Sequence, residues 1–309
     1  MSQVRFIDVA EHRAGQRLDN FLLRELKSVP RTRIYRALRT GEIRVNKGRA
    51  KADYRVRPGD RVRVPPLRMA ERGPPTAVPP RWAGLLEDRL IYEDRGLWVL
   101  DKPSGLAVHG GSGLNIGLIE CLRLLRPREP CLELVHRLDR DTSGCIMVAR
   151  KASVLKDLQR QLREDRIAKG YLALVDGRWS ANRTSVEAPL KKNTLKSGER
   201  IARVDGKGKL SRTEFRVVER FADCTLVEAR PITGRTHQIR VHARYAGHPL
   251  LGDDKYTPRG INRRAGERGL KRLFLHAVSL EFDDISGASR KVEAPLDAHL
   301  KEFLDKLSR

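Results

Sequence analysis

The 309-residue chain has no apolar run approaching the ~20 residues that span a bilayer. Nor does an apolar signal core follow its first residue, because MSQVRFIDVAEHRAGQR is already polar. Both absences point to a cytoplasmic protein. The four cysteines, Cys121, Cys131, Cys145 and Cys224, form no CxxC pair and show no metal-ligand spacing. They read as buried thiols, Cys145 most plainly, inside the apolar run Cys145-Ile146-Met147-Val148-Ala149. His237 and His242 stand five apart, not the three or four of a helical zinc pair. There is no glycine-rich nucleotide loop either, so no metal or other cofactor is expected.

What the chain does have is positive charge. Sixty-three Lys and Arg against 39 Asp and Glu leave +24, which calls for a polyanionic partner, nucleic acid or an anionic membrane surface. With 39% hydrophobic and 33% charged residues the chain is globular rather than disordered. Its length makes two domains the default. The proline-rich stretch PPLRMAERGPPTAVPP, residues 65–80, reads as an extended linker. The expected organisation is a short segment 1–15, a small domain 16–66, a linker 67–88 and a large domain 89–309.

In the small domain Leu18, Phe21, Leu22 and Leu26 recur at helical spacing. A second helix is expected to start with Ser28 as its cap and Pro30 in its first turn, and to end before Gly41. Ile34, Ala37 and Leu38 share one face of it, and Arg33, Arg36 and Arg39 fall on the other. Glu42–Val45 and Arg61–Val64 alternate like strands, and Asn46-Lys47-Gly48 supplies a turn. Residues 16–66 hold fifteen Lys and Arg against five Asp and Glu, a net +10. A solvated helix face is the bland account of the arginine stripe; phosphate contact explains it better.

In the large domain the densest signal is His136-Arg137-Leu138-Asp139-Arg140-Asp141-Thr142-Ser143-Gly144, which sets a carboxylate between two arginines. Asp139 in that setting reads as a nucleophile rather than a proton donor. The apolar runs Leu132–Val135 and Cys145–Ala149 flank it, placing Asp139 on a loop. Leu97–Leu100 and Tyr171–Val175 are strand candidates, and Leu155, Leu158 and Leu162 mark a helix. Strands and helices do not alternate regularly, so an α+β fold with a mixed or antiparallel sheet is expected. A second segment, Pro231-Ile232-Thr233-Gly234-Arg235-Thr236-His237-Gln238-Ile239-Arg240, reads as a helix start capped by Thr236. Arg235 would sit at the mouth of that helix, suited to a carboxylate or phosphate.

The small domain resembles the S4 RNA-binding domain, through Pro30-Arg31-Thr32-Arg33-Ile34 followed by Gly41-Glu42-Ile43-Arg44-Val45-Asn46-Lys47. The large one resembles the RluA family of pseudouridine synthases. The matching stretches are Leu100–His109, the Asp139 run, Lys169–Val175, the Arg235 segment and Leu275-His276-Ala277, in that order. The resemblance implies a cofactor-free isomerisation of uridines in 23S ribosomal RNA, free or in an assembling large subunit, by a monomer. It implies that Asp139 is the catalytic aspartate, Arg235 its ion-pair partner and Tyr171 the aromatic beside the target base. Arg137 would fill the gap left by a flipped nucleotide, with His136 and Thr142 also against the RNA. Arg31, Arg33, Arg36, Arg39 and Lys47 would bind RNA in the S4 domain. Two basic stretches, Lys191–Lys209 and Arg259–Arg272, read as further RNA-contacting loops.

Two rival functions fit parts of the pattern. Asp139-Arg140-Asp141-Thr142 matches the DxDxT nucleophile signature of haloacid-dehalogenase-type phosphatases, with Asp253-Asp254 as downstream magnesium ligands. A non-catalytic rRNA-binding assembly factor would explain the charge without the chemistry.

Overall fold

The computed structural model describes residues 4–26, 29–67, 77–110, 116–129, 131–194 and 200–307. The chain separates into two compact units, residues 1–76 and 77–309.

The first unit runs β1 (Arg5–Asp8), α1 (Leu18–Glu25), α2 (Arg31–Thr40), β2 (Arg44–Val45), β3 (Gly48–Arg49) and β4 (Arg61–Val64). Leu18, Phe21 and Leu22 of α1 and Ile34, Ala37 and Leu38 of α2 are buried in one core with Val45, Val62 and Val64. Complete burial of an aliphatic side chain such as Leu22 or Ile34 contributes about 2 kcal/mol. Pro30 is itself the N-cap of α2, and Gly41 closes the helix in the left-handed region at φ 73°. The expected cap, Ser28, lies outside the described residues. Asn46 and Lys47, at φ 49° and 67°, make the two-residue turn that pairs β2 with β3. Residues 1–15 were not expected to join this domain, yet β1 pairs with β4, and Ile7 and Val9 enter the core. One strand with one inward residue leaves too short an alternation to read from sequence.

The second unit begins α3 (Pro80–Glu87), β5 (Leu90–Glu93), β6 (Leu97–Lys102), α4 (Leu118–Leu125), β7 (Glu133–Leu134) and β8 (Ser143–Ala149). It continues α5 (Ala152–Arg163), β9 (Ala168–Asp176), β10 (Ser185–Glu187), β11 (Leu190–Thr194), β12 (Arg200–Val204), β13 (Arg212–Arg220) and β14 (Cys224–Pro231). It ends α6 (Gln238–Tyr245), α7 (Arg259–Glu267), β15 (Leu275–Asp283), β16 (Ser289–Glu293) and α8 (Ala298–Asp305). The main sheet has the order β10-β13-β14-β9-β15-β8-β6-β5, with β16 beside β15 and β7 beside β8. Its pairs are antiparallel except β15 with β8, so the sheet is mixed, as the sequence pattern predicts.

All seven residues of β8 are buried, because apolar layers cover both faces there. Trp98, Leu100, Ile146 and Val148 face α4; Leu97, Val99, Cys145 and Met147 face α5. The linker expectation over residues 67–88 fails at its end. Pro80 opens α3 in a first-turn position that needs no N–H donor, and Trp82 is buried with Trp98. Residues 68–76 lie outside the described residues. In the basic stretch 191–209 the described residues pair β11 with β12 as a hairpin, and most of 259–272 is helix α7.

Candidate active site

Asp139 lies on the loop entering β8, and that loop is fastened from beneath. β6 extends two residues past its apolar pattern, burying Lys102 completely. The Lys102 ammonium donates to the carbonyls of Pro103 and Leu106, both at 2.8 Å, and of Arg140 at 3.1 Å. The Gly105 N–H donates to the same Arg140 carbonyl at 2.9 Å, and the Ser104 hydroxyl to that of Asp141 at 2.8 Å. Burial, with Arg272 nearby, pulls the Lys102 pKa down to about 7. At the loop's far end Gly144 has φ 104°, and a Cβ there would collide with the Ala277 carbonyl. The segment Asp101-Lys102-Pro103-Ser104-Gly105, which follows the expected strand Leu97–Leu100, is therefore the clamp of the aspartate loop.

The opposite wall is α6. It starts at Gln238, not at a Thr236 cap, and its N-cap His237 stands at φ 54°. That is an uncommon conformation for a side chain branching into a ring. Gln238 explains the start. Its Oε1 accepts from the Arg235 N–H at 3.0 Å and the Thr233 hydroxyl at 2.7 Å. Its Nε2 donates to the Arg212 carbonyl at 2.9 Å and to Thr213 Oγ1 at 3.0 Å.

This geometry changes the partner of Asp139. The guanidinium in ion-pair range is that of buried Arg240, with Nη1 3.6 Å from Asp139 Oδ2; His237 Nε2 lies 3.6 Å from the same oxygen. Arg235 lines the same cavity, but it is exposed and its recorded bond is made by its backbone. Arg240 is gripped from behind by Asp253, Nε to Oδ2 at 2.7 Å and Nη2 to Oδ1 at 2.6 Å. Asp253 also accepts the backbone N–H groups of Lys255 and Tyr256 at 2.9 and 3.2 Å. Burial opposes the Arg240 charge, but its bonds to Asp253 and that residue's charge outweigh it and raise the pKa. Arg235 and Arg240 occupy one sequence segment, and only the helix start decides which points inward.

Between the loop and α6 lies a cavity of about 350 Å³, a size typical of small-ligand sites. Asp139, Tyr171, Arg137, Lys169 and Lys192 all line it. Burial and the charge of Asp139 push the Tyr171 phenol up, so it stays protonated at neutral pH. Arg137 is exposed at the rim. His136 also lines the cavity, but its Nε2 accepts the Met147 N–H at 3.1 Å, and burial lowers its pKa to about 4. It is a neutral tie between loop and strand rather than a phosphate contact. Thr142 is buried, and its N–H donates to the Asp139 carbonyl at 3.2 Å.

In the first unit Arg36 and Arg39 are exposed and share a concavity with Arg49 and Lys51. Lys47 is exposed at its turn. Arg33 differs from expectation: it pairs with Glu42 at 2.6 Å, so its charge is engaged within the domain. The Arg31 side chain lies outside what is described.

The phosphatase reading needs a magnesium ion between Asp139 and Asp253. The space between those carboxylates is filled by the Arg240 guanidinium, paired to both. Sequence reasoning missed Arg240, His237, Tyr256 and Asp253 as parts of the site. Of these the sequence pattern marks only Asp253, and as a magnesium ligand of the phosphatase reading.

Known proteins resemble both units of the chain. The S4 domain model matches residues 16–62, and the RNA pseudouridylate synthase model matches residues 96–245. Ribosomal large subunit pseudouridine synthase C of Escherichia coli K12 is 54% identical over 308 residues, covering 98% of this chain and 97% of that protein. The protein of that name from Haemophilus influenzae is 51% identical, covering 99% and 96%. Among solved structures, human RNA pseudouridylate synthase domain containing 1 has a TM-score of 0.59 at 27% identity, covering 71% of this chain and 87% of that one. Human RNA pseudouridylate synthase domain containing 4 shares the fold, with a TM-score of 0.60 at 24% identity, covering 74% and 96%. The chain belongs to the RNA pseudouridylate synthase family and carries an S4 domain ahead of its synthase domain.

Proposed function

We propose that this protein converts uridines of large-subunit (23S) ribosomal RNA to pseudouridine, with Asp139 as the nucleophile and no cofactor. The observation that carries the reading is the one-sided grip on Asp139. Arg240 and His237 both approach Oδ2, and among the described residues no hydrogen bond or ion pair engages Oδ1. Oδ1 is the oxygen left for chemistry.

The reaction breaks N1–C1′, turns the base and joins C5 to C1′, while C5 loses a proton and N1 gains one. It consumes no redox equivalent or phosphate. The same carboxylate oxygen serves attack at C1′, attack at C6, or formation of a glycal. The uridine must leave its stack at a cost of a few kcal/mol, which Arg137 inserted from the rim offsets in part. Tyr171 presents a ring face to the base and a proton-bearing hydroxyl. Arg235, Lys169 and Lys192 at the cavity suit the flanking phosphates.

The remaining assignments follow the chemistry. The S4 domain grips structured rRNA through Arg36, Arg39 and Lys47. The cavity is lined by residues of the second unit, and the proposed acting form is a monomer. Among the described residues no helix is long and apolar enough to cross a membrane, and the proposed place of action is the cytoplasm, on rRNA or an assembling subunit.

The test is pseudouridine mapping of large-subunit rRNA from cells lacking the protein, with the wild-type gene restored. Specific sites should vanish and return; an unchanged map would refute the reading. Charge reversal at Arg36 and Arg39 should weaken binding to that rRNA and flatten the salt dependence by about one unit of log–log slope per lost phosphate contact. An unchanged slope would remove the S4 domain from the interface. Arg33→Glu, by contrast, should mainly disturb the pairing with Glu42.

A further inference from the structure

The hairpin β11–β12 is connected to the surroundings of Asp139 by two hydrogen bonds and one 3.6 Å approach. Leu190 and Ala202 at its base pack with Val241 of α6 and with Tyr256, in a small cluster of buried side chains. The Ala202 N–H donates to the Tyr256 hydroxyl at 2.8 Å. That hydroxyl lies 2.6 Å from His237 Nδ1, and His237 Nε2 lies 3.6 Å from Asp139 Oδ2. The Arg240 guanidinium sits 5.0 Å over the Tyr256 ring, so Tyr256 touches both groups that face the aspartate.

The proton positions follow from what each group lacks. The Tyr256 oxygen already accepts from Ala202, and burial raises its pKa, so its own proton needs an acceptor. His237 Nδ1 is that acceptor, which leaves the ring hydrogen on Nε2, pointed at Asp139. Burial lowers the His237 pKa below its usual value, which favours the neutral ring, and the bond at Nδ1 selects the tautomer. A short contraction of the 3.6 Å gap would complete a hydrogen bond to Oδ2. The other end of the series is a hairpin with exposed Lys192, Lys207 and Lys209, and Lys192 lines the Asp139 cavity.

We propose that Tyr256 and His237 are positioning residues through which the basic hairpin sets the orientation of Asp139. RNA held by the hairpin fixes β12, β12 fixes the Tyr256 hydroxyl, and the hydroxyl fixes the imidazole against the carboxylate. The proposal rests on the synthase reading above. It gives the hairpin a part in the chemical step in addition to affinity.

The experiment is single-turnover pseudouridine formation on a large-subunit rRNA transcript at 25 °C by the full chain and its variants, with folding checked by thermal melting. Tyr256→Phe removes one oxygen and keeps the ring under Arg240. The rate at saturating RNA should fall about ten- to a hundredfold, while the half-saturating RNA concentration stays within about threefold. His237→Asn tolerates the left-handed backbone but ends short of Asp139, and should lose at least as much. Because both act along one series, the double variant should be no slower than His237→Asn alone.

A Tyr256→Phe enzyme that is folded and as fast as wild type would overturn the relay. So would losses that multiply in the double variant, or a loss confined to RNA affinity or thermal stability. A wild-type chain that forms no pseudouridine would overturn the functional reading and the relay together, whereas an active wild type with an indifferent Tyr256→Phe overturns the relay alone.

Discussion

Asp139→Ala should abolish pseudouridine formation, with a loss of about 10⁴-fold or more, while RNA affinity stays within a few-fold. Nucleophile removal leaves no group to replace Oδ1, since His237 and Arg240 present hydrogens to the cavity, not lone pairs. The fold should survive because Arg240 keeps its two bonds to Asp253. The pair lost is separated by 3.6 Å and leaves Arg240 still compensated by Asp253, so the loss of stability should be smaller than that of Arg240→Met. Activity on rRNA and thermal melting, measured together, decide the matter. Joint loss of activity, RNA binding and thermal stability would make Asp139 a structural anchor of its loop and defeat the nucleophile assignment.

The second large effect belongs to Arg240. Arg240→Met strips the guanidinium from Asp253, whose side chain is fully buried, and leaves that carboxylate only backbone donors. An uncompensated buried charge of this kind costs about 3–5 kcal/mol. Activity should fall as well, because Oδ2 of Asp139 loses its cationic neighbour. Adding Asp253→Asn should restore much of the stability by removing the stranded charge, without restoring the rate. Arg235→Met provides the contrast. An exposed rim residue should change stability by about 0.5 kcal/mol or less and act mainly on RNA affinity. If Arg235→Met proved the catalytically silent-binding, rate-destroying variant and Arg240→Met the active one, the ion-pair assignment would revert to Arg235.

Much of the site was legible because it is local. The run around Asp139 opens with a charge pattern that a core strand does not tolerate, so its loop position is legible locally, while its chemical role rests on the ordered set of motifs shared with the synthase family. Tyr171 lies in a strand whose apolar neighbours are visible in sequence, and the structure places it at the cavity. The arginines of α2 sort onto one face by helical periodicity, and Arg36 and Arg39 are exposed there. Periodicity carries no information on partners, however, so it could not reveal that Arg33 folds back onto Glu42. Nor could composition distinguish a basic loop from a basic hairpin, since residues 191–209 are charged in either case.

The sequence by itself determined the two-part organisation of the chemistry: a basic RNA-gripping module ahead of a synthase whose carboxylate stands among arginines. Those properties reside in neighbouring residues and in the order of short motifs, which survive without coordinates. Only the tertiary structure decided that Arg240, not Arg235, meets Asp139, that Lys102 clamps the loop, and that Tyr256 joins the hairpin to His237. Each of these pairs residues separated by 19 to 101 positions or turns on a helix starting one residue later than its cap signal suggests. Contacts at that range are set by sheet order and packing, and where α6 begins puts Arg240 on the buried helix and leaves Arg235 exposed before it.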